Sequence, residues 1–159
     1  MLVLISGIGG RETAAKTIVD RITIGGQLSE QFIPAHIIRE TSSAYQGLVG
    51  MDILSQYALT IDSENRRLIA TKRPSLKDRP AGHNSNWWRR NFRELNFYRN
   101  FWEEQAAMID RHDSPYSRLT SSYARVKDFI LTQQSESGKL YDKLERYARS
   151  HSVPKHWRR

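Results

Sequence analysis

Cysteine is absent from the 159 residues, which excludes disulfides, thiolate nucleophiles and thiolate metal sites without settling the compartment. No apolar run approaches the roughly 20 residues of a membrane span. The opening Met1 to Ile5 is too short for a secretory signal and has no basic residue before it. Localisation is therefore unassigned beyond the lack of both segments. Paired metal ligands are missing too. His112, His151 and His156 show neither an HExxH pattern nor ligand spacing, so structural or exposed roles are expected and no metal is.

Positive charge is scarce in one part of the chain and abundant in the other. The net charge is +8, but residues 1–71 hold 6 Lys+Arg against 7 Asp+Glu, and residues 72–159 hold 19 against 10. Two segments of different character therefore meet near Lys72. Apolar residues make up 38%, enough for one ordinary core or two small ones.

The first segment reads as short strands. Leu2 to Ile5 runs into Gly7-Ile8-Gly9-Gly10, where glycines permit a tight hairpin. Thr17 to Ile24 and Phe32 to Ile38 are further strand candidates, Pro34 marking an edge or a strand end. The central stretch, Gly47 to Ile61, reads as an apolar strand at Leu48 and Val49 and a glycine at Gly50. A short amphipathic helix of one or two turns through Met51, Ile53, Leu54 and Tyr57 follows, then a strand carrying Leu59 and Ile61. Such a junction predicts an interior site where backbones approach without a Cβ between them. Asp52 is expected to start the helix, where a carboxylate meets free amides. The chain then turns at Ser63 to Asn65 into Leu68 to Ala70, so that five or six strands and one short helix predict a small β-barrel-like sheet.

These residues resemble the C-terminal part of a retropepsin-like aspartic protease of the bacterial type, over residues 2–71. ISGIGG is similar to the family's flap hairpin, GLVGMDIL to its glycine-ended strand and single helix, and YALTID with RRLIA to its closing hairpin. The resemblance implies that Gly7, Ile8, Gly9 and Gly10 close over a peptide or protein substrate. It also makes Leu48, Val49, Gly50 and Asp52 the family's structural motif. The intact protein would cleave peptides as a homodimer with no cofactor. The family's chemistry comes from an Asp-Thr/Ser-Gly loop ahead of the flap, where two aspartates share a proton and activate water. This sequence contains no such motif. Asp62-Ser63 is followed by Glu64, and Asp20 is expected to be solvated. No catalytic residue is therefore assigned, and the chain is expected to be a fragment of a longer reading frame, inactive alone. Without the aspartate-bearing strands, Leu48 and Val49 lose neighbours and are expected to expose backbone donors and an apolar face. Another chain or the second segment could fill that gap instead.

The second segment opens with a linker over residues 72–86, rich in proline and polar residues. A helical extension is expected over residues 87–159. Asn84, Ser85 or Asn86 can cap a helix whose apolar stripe is Trp88, Phe92, Leu95, Trp102, Ala106 and Ile109. A second helix after Asp113-Ser114-Pro115 carries Tyr116, Leu119, Tyr123, Val126 and Ile130. A third, after Ser135 to Gly138, carries Leu140, Leu144, Tyr147 and His151, and Val153-Pro154 stops it. The fold class expected is thus α+β, a partial retropepsin-like barrel followed by about three helices. Trp87, Trp88, Phe92 and their neighbouring arginines also suggest a nucleic-acid stacking platform. The preferred reading makes Trp88 and Phe92 core and the arginines the solvated back of the helix, because the aromatics keep helical period and no nucleic-acid-binding signature is present. The competing function is a non-catalytic interaction module whose basic aromatic helices bind protein or nucleic acid.

Overall fold

The computed structural model describes residues 1–7, 10–25, 28–39, 47–73, 79–111 and 121–159. Strands β1 (Leu2–Gly7), β2 (Gly10–Ile24) and β3 (Leu28–Ile37) form an antiparallel sheet in the order β1-β2-β3. Helix α1 (Met51–Leu54) leads into a separate hairpin of β4 (Tyr57–Asp62) and β5 (Arg67–Lys72). Two long helices follow, α2 (Ser85–Arg111) and α3 (Ser121–Ser150). The architecture mixes α and β, and the described strands form two small open sheets rather than a barrel.

Alternation along β2 decides which side of the sheet is covered. Ala14, Lys16 and Ile18 are buried, and the register places Val3 opposite Ala14. Period-two side chains of this kind share one face. The helices lie on that face: Lys16 Nζ is 2.6 Å from Glu94 Oε1 on α2, and Phe32 stacks on Tyr147 of α3. Lys143 of α3 donates to the Ile18 carbonyl at 3.0 Å. One core unites Val3, Ala14, Ile18 and Phe32 with Trp88, Phe92, Leu95, Leu140 and Leu144. The second segment thus covers one face of the first. On the other face Leu4 and Ile37 are both 60% exposed, although Ile33, opposite Val19, is buried.

Proline placement agrees with the sheet order. Pro34 pairs with Ile18 from β3, an edge strand among the described residues, where a missing N–H costs no ladder bond on the outer side. Asn84 caps α2, its Oδ1 accepting from the Trp87 N–H at 2.9 Å, and Trp88, Phe92, Leu95 and Ala106 of the expected stripe are buried. Tyr116 and Leu119 lie outside the described residues.

The expected break at Ser135 to Gly138 does not occur. α3 runs through it, the Ser137 hydroxyl turning back onto the Gln134 carbonyl at 2.9 Å, a contact that a helix tolerates at small cost. A glycine inside a helix costs only about 1 kcal/mol, and burial of Leu140, Leu144 and Ala148 outweighs it. Among the described residues the extension therefore has two long helices and a final 3-10 turn at Lys155–Trp157.

Candidate functional site

Strand β3 is where the sheet, the β4–β5 hairpin and α2 converge. Glu30, although charged, is only 9% exposed. The Tyr57 phenol donates to its Oε1. The hairpin register sets Lys72 opposite Tyr57, which brings the Lys72 ammonium within 3.4 Å of the same oxygen. Burial, followed by the hydrogen bond and the charge of Glu30, pushes the Tyr57 phenol up to about 12. The Lys72 side chain is 65% exposed, so the phenol is the partner that matters for a carboxylate drawn out of water.

His83 approaches from the other side. Its imidazole stacks on Trp87, ring centroids 3.7 Å apart, and meets Trp88 edge-on at 6.1 Å. Burial pushes it down to about 4; the Glu30 and Asp52 carboxylates oppose that shift, and His151 adds to it. At neutral pH the ring is therefore uncharged. Glu30, Ile33, Asp52, Gln56, His83 and Trp87 border a shallow cleft, whose enclosed part admits about one water. The arrangement clamps β3 to the hairpin and to α2 through groups already engaged with one another. Among the described residues no three His, Asp or Glu side chains gather to hold a metal ion.

The sequence-derived site residues fall elsewhere, apart from Asp52. Gly7 pairs with Gly10 at the end of the β1–β2 hairpin, Gly10 with a φ of 109° that favours glycine. Ile8 and Gly9 lie outside the described residues. Leu48 and Val49 form no strand: they join neither sheet and are 85% and 40% exposed. The physical reason is that none of the described strands lies alongside to satisfy their backbone. Gly50 is not an interior crossing. It is exposed, has an ordinary φ of −87°, and a Cβ there would meet only the Asp52 side chain, at 2.6 Å. Asp52 occupies the first turn of α1 and borders the cleft.

Glu30, Tyr57 and His83 had no sequence signal strong enough to single them out. They are 27 residues apart in the first pair and joined only by folding. A histidine set directly before a helix-capping asparagine was the one weak clue. Trp88 and Phe92 are buried and Arg89, Arg90 and Arg93 exposed, as the core reading of that stretch expects; Trp87 is buried as well, against His83. None of the described helices is long and apolar enough to cross a membrane. Comparison with protein-family models, curated proteins and solved structures finds no match to this chain.

Proposed function

We propose that the chain is the flap-to-C-terminal part of a retropepsin-like aspartic endopeptidase and hydrolyses no peptide by itself. The observation that carries this reading is the solvent-facing Leu48-Val49 segment immediately ahead of Gly50 and α1, which pairs with none of the described strands. That is the condition expected of a strand deprived of the neighbours that would bring an Asp-Thr/Ser-Gly loop. The β1–β2 hairpin closed by Gly7 and Gly10 precedes α1 and the final hairpin in chain order, the order that the resemblance implies for a flap. In the intact protein two such chains would each contribute one aspartate, and the pair would share a proton and direct water onto a peptide carbonyl.

The test has two arms. The DNA immediately upstream should encode an in-frame or frameshifted Asp-Thr/Ser-Gly. Adding that segment should produce pepstatin-sensitive cleavage and protect the Leu48 and Val49 amides from hydrogen exchange, while residues 1–159 alone cleave nothing. Pepstatin-sensitive proteolysis by the chain alone, or an upstream sequence without the motif, would overturn the reading.

A second reading, a non-catalytic module that binds nucleic acid through its basic helices, is favoured by the solvent-facing Arg89, Arg90 and Arg93 on the first turns of α2. With the neighbouring rings buried, such binding would be purely electrostatic. It requires a salt-dependent mobility shift of single-stranded RNA or DNA, and no shift at low salt would remove it.

A further inference from the structure

The C-terminal half of α2 and the N-terminal half of α3 carry an aromatic surface that neither the sheet nor the helix pairing covers. Phe97 is 61% exposed, Phe101 39% and Phe129 42%. They are one continuous surface, because Phe97 stacks on Phe101 at 6.3 Å, Phe101 meets Trp102 edge-on at 4.9 Å, and Trp102 meets Phe129 at 5.8 Å. Val126, one turn before Phe129, extends it at 51% exposure.

We propose that this surface binds a second copy of the same chain, the two α2 helices lying antiparallel across a two-fold axis between Phe97 and Phe101. Area is the first reason. The three rings leave roughly 300 Å² in solvent on ordinary aromatic areas, already at the scale of a functional patch. With their aliphatic neighbours they approach the apolar share of the ~800 Å² that each partner of a stable dimer buries. Charge is the second. Arg93 stands one turn before Phe97 and Glu104 one turn after Phe101, on the same stripe of α2 and both exposed. An antiparallel pairing centred between the two phenylalanines therefore sets each Arg93 against the Glu104 of the other copy. A two-fold interface must be self-complementary in this way, whereas a parallel pairing would oppose like charges. The contact is made by helices, separate from the aspartate-bearing loops through which the peptidase resemblance implies dimerisation.

Sedimentation equilibrium of the full chain should give a species of twice the 18.5 kDa chain mass at micromolar concentration. Phe97→Asp with Phe101→Asp should raise the dissociation constant about 100-fold or more without changing the helical circular dichroism. Because those rings also touch Trp102 and Tyr98, a second set of variants separates folding from association. Arg93→Glu and Glu104→Arg should each weaken the dimer about 10-fold, and the double reversal should restore it. A monomeric wild type, a dimer indifferent to the phenylalanine changes, or a double reversal that fails to restore association would overturn the proposal. None of these outcomes depends on peptidase activity.

Discussion

The rings of Phe32 and Tyr147 lie parallel within 1°, their centroids 3.8 Å apart, although Phe32 holds a backbone φ of 57°. A bulky residue with positive φ is strained, and here the strain is retained at the contact that fastens β3 to α3. The register continues unbroken on either side, from Val19 opposite Ile33 to Arg21 opposite Gln31.

Replacing Phe32 by alanine should cost about 3–5 kcal/mol of stability, the usual loss for a buried phenylalanine. Glycine at the same position should be no worse than alanine and up to about 1 kcal/mol better, because it relieves the left-handed backbone. In an ordinary strand position the order is reversed. Urea denaturation of the two variants side by side decides between these outcomes.

The histidine at the cleft should make folding sensitive to acid. His83 is held at about 4 in the fold against about 6.5 unfolded. The unfolded chain therefore binds the proton first as pH falls, and stability that is complete above about pH 6.5 is lost between there and pH 4. The loss should be on the order of 2–4 kcal/mol. Chemical denaturation at a series of pH values should show this slope, and His83→Phe, which keeps a ring against Trp87, should flatten it.

Alkali should act through the other side of the same cluster. With the Tyr57 phenol held at about 12 against about 10 unfolded, its contribution is intact below pH 10 and disappears as pH rises towards 12. Burial also raises Tyr98 and Tyr147, so ultraviolet titration of the folded protein should show several phenolates ionising late, Tyr57 contributing a step at about 12. Tyr57→Phe should remove that step and cost about 1–3 kcal/mol at neutral pH, since the buried Glu30 loses its hydroxyl donor.

Gly138 offers the opposite sign. It lies within α3, and a Cβ there would meet nothing within 4 Å. Gly138→Ala should stabilise the protein by about 0.5–1 kcal/mol, read as a rise in Tm of about 1–4 °C. A fall in Tm would mean that the helix needs the glycine where it passes Ser135 to Ser137.

Local pattern was enough to locate most elements. The strand over Thr17 to Ile24, the turn at Gly7 to Gly10, the edge position of Pro34, the Asn84 cap and the stripe from Trp88 to Ala106 each follow from interactions between residues close in sequence, and so they are legible in it. The first half of β2, from Gly10 to Lys16, is not, because its buried alternation includes Lys16, whose ion-pair partner Glu94 lies on α2. The helical break at Ser135 to Gly138 was misread because propensity there is weak, and buried leucines on the next turns outweigh it. Leu48 and Val49 have strand character, but a strand exists only when another offers it donors and acceptors, and none of the described strands does.

The amino-acid order alone determined the charge division near Lys72, the lack of thiol chemistry, the lack of an Asp-Thr/Ser-Gly loop and the period of each helix and strand. Only the tertiary structure decided that the second segment roofs the first, that Glu30, Tyr57 and His83 share one cluster, and that Phe97, Phe101 and Phe129 remain in solvent. The division has a physical cause. Backbone propensity and side-chain period act over a few residues, whereas which apolar faces become covered depends on how much surface distant segments can bury against one another.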